Sequence, residues 1–435
     1  MTSLRGAVFT GFFLCLAVSF SSAEIKPAGG RDLLPAHIFN NIQAYMLEKR
    51  FDGWLFSGQG SFDDIEKDFL GLKGKTRYRW FIFIPGLASH KKPYLIYHKA
   101  DERVFSGINF YPLPYRSRDE MLKEFSERLC PIAQKICVNY SPEMNIPELS
   151  RADAGMLEWL KKKNLQLISS GSILSFYHTR WLVTDIETHK KAAAGLDSIL
   201  PLAEDFLKGK ILNNRKVTDY DLAGFLEESL KKKRLEAVEK PVVALGEKTI
   251  EDRYVPSKNG ARLISRGDLL YIELSARERK NSQAMFARLG WTLYIGDIVP
   301  DSLAADWERI TAAADEALNV LKTRIPRERE TLLGYEVDRA ARIKLGSEPD
   351  ILPRPLGFNL NRLGHDFGVR FDSYTAVDDR EVMPGMGFTL EPGIYRENHA
   401  LRMCANLFID GERKVTISAP LQRKIAAVLA GDAGK

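Results

Sequence analysis

GHDFGVRFDSYTAVDDREVMPGMGFTLEPGIY, residues 364–395, runs on into RENHALRMC, residues 396–404, and the chain is best read outward from there. His365 follows a glycine, as an imidazole on a tight turn does. Glu391 opens Glu-Pro-Gly, and proline with glycine closes a strand, so its carboxylate is predicted at a strand end. Arg402 and Cys404 lie two residues apart in the next apolar run and so share one face of a strand.

This order resembles the metal-binding half of the creatinase and Xaa-Pro aminopeptidase family, whose fold is called pita-bread. On that resemblance His365 falls on the family's histidine ligand, Glu391 on its first glutamate ligand and Cys404 on its last. Three further words, DGWLFS at 52–57, RWFIFIP at 79–85 and PYLIYH at 93–98, resemble the amino-terminal domain of bacterial Xaa-Pro peptidases. The resemblance therefore covers nearly the whole chain beyond the first thirty or so residues. It implies an α/β amino-terminal domain of the creatinase type followed by an α+β pita-bread domain, and a homodimer.

Composition agrees with a two-domain protein. The chain has 435 residues, 45% hydrophobic and 28% charged, enough to bury a sizeable core. A net charge of +6 is modest, and its densest basic run, residues 231–234, closes a predicted helix where cations suit the dipole. Nucleic acid is not an expected partner. Arg5, an apolar run over 7–20 and the small residues Ser21, Ser22 and Ala23 have the layout of a cleavable secretory signal, placing the protein in the periplasm or outside the cell. After cleavage no span is expected to cross a membrane. Export would permit a disulfide, and Cys130 and Cys137 are close enough in sequence to form one.

The expected domains are 31–180 and 184–425, after a signal at 1–23. In the first, a helix over 31–50 precedes strands at 54–56, 80–84 and 94–97, a helix over 117–129, a strand at 136–140, a helix over 147–162 and a strand at 165–169. In the second, Thr184 and Glu187 have capping-box spacing at the head of a long helical pattern through Phe206. Thr218 and Asp221 start the next helix. Strands are predicted at 241–245 and 269–274, helices at 303–321 and 335–345, the latter stopped by Gly346, and strands at 388–390 and 407–409 with a hairpin turn at Asp410-Gly411.

The resemblance also implies a dinuclear metal centre built from two aspartates, a histidine and two glutamates, because paired dications need several anionic ligands to activate a bridging water. This chain departs from that set. The first aspartate maps to Glu273 in GDLLYIEL and the second to Arg288 in FARLGW, or to Ala284 in another alignment. A histidine of the family maps to Arg253 in EDRYVP. For a second family histidine, either Asp372 stands in its place or the position is missing.

A guanidinium about 4 Å from a dication would repel it by several kcal/mol even at an effective dielectric near 20. Arg288 is better placed to neutralise Glu273 and Glu391 by charge-assisted hydrogen bonds. The expectation is therefore a pseudopeptidase without a cofactor, binding a peptide, a small ligand or a partner. The alternative is a metal-dependent Xaa-Pro aminopeptidase with an altered centre, Glu273, His365, Glu391 and Cys404 holding a single zinc or other divalent ion.

Overall fold

The computed structural model describes residues 36–86, 92–327, 330–346, 354–361 and 368–431. The predicted signal and His365 lie outside them.

Strands β1 (Gly53–Gly58), β2 (Trp80–Pro85), β3 (Tyr94–His98), β4 (Tyr111–Tyr115), β5 (Lys135–Val138) and β6 (Gln166–Ser169) form one mixed sheet in the order β4-β3-β2-β1-β5-β6. Alternation sorts the side chains: Trp54, Phe56 and Ile82 pack on one face with Ile42 and Phe69, while Leu55, Phe81 and Phe83 pack on the other with Phe125 and Leu160. Helices α1 (Ala36–Glu48), α2 (Asp64–Leu70), α3 (Arg118–Glu124), α4 (Ala154–Lys162) and α5 (Gly171–Thr179) accompany this sheet.

Several boundaries differ from the sequence reading for physical reasons. Strand β4, YPLPY, escaped notice because it holds two prolines, which suit the sheet edge it occupies. Helix α4 starts at Ala154, not near 147, because the N–H groups of Arg151 and Ala152 are bonded to the Asn139 carbonyl and Asp153 then caps Met156 N at 2.9 Å. The helix over 117–129 is α only to Glu124 and ends in a wider π turn. Cys130 and Cys137 are free thiols, Cys137 buried under one sheet face and Cys130 packed against the cluster on the other.

The long helical pattern after 184 is two helices, α6 (Val183–Asp197) and α7 (Leu200–Leu212), since Pro201 has no N–H to continue the first. The start of α6 is capped not by Thr184 with Glu187 but by Asp185, whose carboxylate accepts from Leu182 N at 2.7 Å. Helix α8 (Asp219–Lys232) starts where expected, and Thr218 and Asp221 exchange bonds there as a capping box. Helices α9 (Asp301–Arg324) and α10 (Gly334–Leu345) follow, the latter ending at Gly346 with φ +90°.

Two sheets dominate this half. Strands β7 (Leu235–Ala237), β8 (Val242–Leu245), β9 (Leu269–Glu278) and β10 (Ala287–Tyr294) surround β9, which pairs with the other three. Strands β11 (Gly357–Leu360), β12 (Arg370–Phe371), β13 (Met386–Leu390), β16 (Ala405–Ile409) and β17 (Val415–Ile417) make the second sheet, the β16–β17 hairpin turning at Asp410-Gly411 as expected. Strands β14 (Gly393–Tyr395) and β15 (Ala400–Arg402) form a short ribbon, and β18 (Ala426–Ala427) lies beside β10. The two sheets meet through a bridge between Gly290 and Cys404, with Gly290 N donating to Cys404 O at 2.8 Å.

Trp181, between α5 and α6, lies across this second sheet. Its indole Nε1 donates to Leu360 O at 2.8 Å, and a Cβ at residue 387 would stand 1.9 Å from its ring, so only glycine fits beneath it.

Candidate functional site

Of the predicted site positions, Glu273, Arg288, Glu391 and Cys404 converge where the two sheets meet. On β9 the apolar Leu270, Ile272 and Leu274 face the α6–α8 side, leaving Tyr271 and Glu273 on the opposite face. Gly290 sits opposite Glu273 on β10, and a Cβ there would be 2.3 Å from the Tyr271 hydroxyl. The missing side chain lets the phenol reach over and donate to Glu273 Oε2 at 2.6 Å.

Arg288, two residues before Gly290, is buried and projects into the same space. Its Nη2 donates to Glu239 Oε2 at 2.7 Å, while its Nε lies 3.9 Å from Glu273 Oε1. The expected neutralisation is thus partly redirected: the hydrogen bond goes to Glu239, and Glu273 and Glu391 are balanced through space. Burial disfavours the guanidinium charge, but Glu273, Glu391 and Glu239 outweigh it and raise the pKa, so Arg288 stays a cation.

Glu391 follows β13, fixed by its N–H to Leu356 O at 2.6 Å. Part of the residue reaches solvent, but its Oε1 is buried and has no hydrogen-bond partner among the described residues. Burial, then the nearby Glu273, push this carboxyl up to about 7 against the pull of Arg288. Cys404 lies 3.5 Å from the Arg288 carbonyl through Sγ. Burial, then Glu391 and Glu273, hold its thiol well above the ordinary range, so it remains protonated. Arg402 stacks over the Tyr271 ring, 4.0 Å from its centroid, with Nη1 3.4 Å from the Asp252 carbonyl.

The two cleft candidates make other contacts. Arg253 is exposed and donates through Nη1 to Glu239 Oε1 at 2.8 Å. Asp372 is fully buried and accepts from Tyr374 N at 3.0 Å, Thr375 N at 2.9 Å and the Thr375 hydroxyl, so it organises its own turn.

Glu239, shared between an inner and an outer arginine, escaped the sequence reading. It lies 49 residues before Arg288 in a charged link between two short strands. Its one signal is the pairing of β7 and β8 with β9, which brings that link to the strand of Glu273.

The donors present do not suit a pair of divalent ions. Arg288 is a fixed cation, Cys404 a protonated thiol, and the Glu391 carboxyl tends towards neutrality. Among the described residues no three His, Cys, Asp or Glu side chains are grouped to hold a metal.

The profile of metallopeptidase family M24 matches residues 187–418, more than half of the chain. The chain belongs to this family. No curated protein is matched. Among solved structures, the dipeptidase PepE of Mycobacterium ulcerans is similar at a TM-score of 0.56 and 17% identity, over 90% of this chain and 97% of that one. The X-Pro aminopeptidase of Thermotoga maritima is similar at 0.51 and 17%, over 89% and 99%. The N-terminal domain of the FACT complex subunit SPT16 from chickpea is similar at 0.52 and 12%, over 91% and 98%. At such identities the likeness is one of fold, and it confirms the creatinase-type, pita-bread architecture expected for this chain.

Proposed function

We propose that this protein is a pseudopeptidase of family M24, exported by its leader, that binds a peptide, a small ligand or a partner protein and does not hydrolyse peptides. The observation that carries the reading is the Arg288 guanidinium, buried with Glu273 and Glu391 and hydrogen-bonded to Glu239. Such a cation supplies the positive charge that metals would otherwise bring, but it polarises no water for attack. The fold leaves the question open, since it serves two peptidases and a subunit of a complex alike. A homodimer is part of this proposal, and so are the limits 31–180 and 184–425 for its two domains.

The second reading, a mononuclear Xaa-Pro aminopeptidase, draws on Glu391 Oε1, a buried carboxylate oxygen left unpaired. Elemental analysis with an assay on Xaa-Pro peptides separates the two. The proposal expects purified protein with far less than one equivalent of zinc, manganese or cobalt and no release of the first residue. Stoichiometric metal with turnover overturns it in favour of the second reading.

A further inference from the structure

Three buried polar atoms that lack a hydrogen-bond partner among the described residues belong to residues lining one small cavity: Asp338 Oδ1, Arg354 Nε and Glu391 Oε1. The rest of Asp338 and of Arg354 is already committed. Asp338 is fully buried, and its Oδ2 takes Arg342 Nε at 2.7 Å, Ser373 N at 2.7 Å and Ser373 Oγ at 2.6 Å. Arg354 places Nη1 on Asp252 and Nη2 on the Ile250 carbonyl at 2.7 Å. Leu345 and Leu356 contribute apolar wall, and the volume is about 10 Å³.

We infer that this cavity is a built site for one water molecule, which donates to Asp338 Oδ1 and Glu391 Oε1 and accepts from Arg354 Nε. The volume matches about one water, and three hydrogen bonds is the usual number for a buried one. With both carboxyls ionised, other small species match the three atoms less well. A monovalent cation would satisfy the two carboxylates but leave the Arg354 N–H facing a positive charge. A halide would accept from Arg354 but face two carboxylates. An apolar occupant would leave all three atoms unpaired.

This water links Glu391 to Asp338. Through Asp338 the line continues to Ser373, so the buried centre is joined to the turn organised by Asp372 and bearing the exposed Tyr374. The inference does not depend on whether the protein hydrolyses anything.

A high-resolution crystal structure of the whole chain tests it. One peak of water strength within hydrogen-bond distance of all three atoms is expected, with no anomalous signal there after rubidium or bromide soaks. A cavity without density, an anomalous peak, or Arg354 Nε bonded directly to either carboxylate overturns it. Asp338→Asn adds a second check. Its carbonyl oxygen stays with Arg342 and Ser373, turning the amide N–H into the cavity, where water can accept from it. The peak therefore persists in this variant, and its loss contradicts the assignment.

Discussion

Around Trp54 the chain buries rings; around Glu391 it buries charge. In the first region Trp54 packs at a tilt against Phe56 and Phe69 with centroids 4.3 and 4.6 Å apart, and its side-chain N–H donates to Asn139 Oδ1 at 2.8 Å. In the second, two arginines and two glutamates sit under the sheets with only part of their hydrogen-bonding capacity used. The contrast shows where each region's stability comes from. The aromatic core gains by leaving water, whereas the charged centre holds because each ion is balanced by another.

Two truncations probe this most strongly. Trp54→Ala is expected to cost about 3–5 kcal/mol in urea unfolding, by lost contact and cavity. Arg288→Ala is expected to cost about as much at neutral pH, because Glu273 and Glu391 are left uncompensated. The two separate on acidification: the Arg288→Ala deficit shrinks as the carboxyls take up protons, while the Trp54→Ala deficit stays. Equal deficits at both pH values would erase the distinction.

A pH series sharpens the comparison further, because each region holds one buried glutamate pushed up to about 7 from an ordinary value of 4.5. For Glu66 the causes are burial and then Asp63; for Glu391 they are burial and then Glu273. A raised folded-state value means the fold binds the proton more tightly. The stabilisation is complete below about pH 4.5, drains as the pH rises to about 7 and is gone above it. At most roughly 3 kcal/mol is at stake for each group. Unfolding profiles of Glu66→Gln and Glu391→Gln should each be flatter than that of the parent over this window. If only Glu66→Gln flattens, Arg288 holds Glu391 ionised throughout and the two glutamates are not alike.

The smallest effect is expected at the rim. Arg253→Ala removes an exposed ion pair with Glu239 and should cost under about 1 kcal/mol, fading with added salt. A larger loss would mean that Glu239 transmits the change to Arg288.

What could be read from the sequence follows the same division. The strand words at 54–56, 80–84 and 94–97, the Thr218 cap, the Gly346 stop and the turn at Asp410-Gly411 are local signals, and each element stands where it was expected. Strand β4 did not announce itself, because its prolines speak against a strand until its edge position is known. The departures at Glu273, Arg288 and Cys404, and the glutamate kept at Glu391, were visible against the family pattern. The Glu239 partnership was not, since no spacing rule links a loop carboxylate to an arginine on a strand two places away across a sheet.

The indole laid across Gly387 bears on how the protein is made. Residues 36–180 contain every strand of their own six-stranded sheet, but the surface that receives Trp181 includes Leu360, Gly385, Gly387 and Phe408, synthesised roughly two hundred residues later. Until then the acceptor of its indole N–H and the glycine face beneath it are missing, although His189, Met285 and Phe286 are already made. The joint between the early and late parts of the chain is completed last, when nearly all of the protein has been translated.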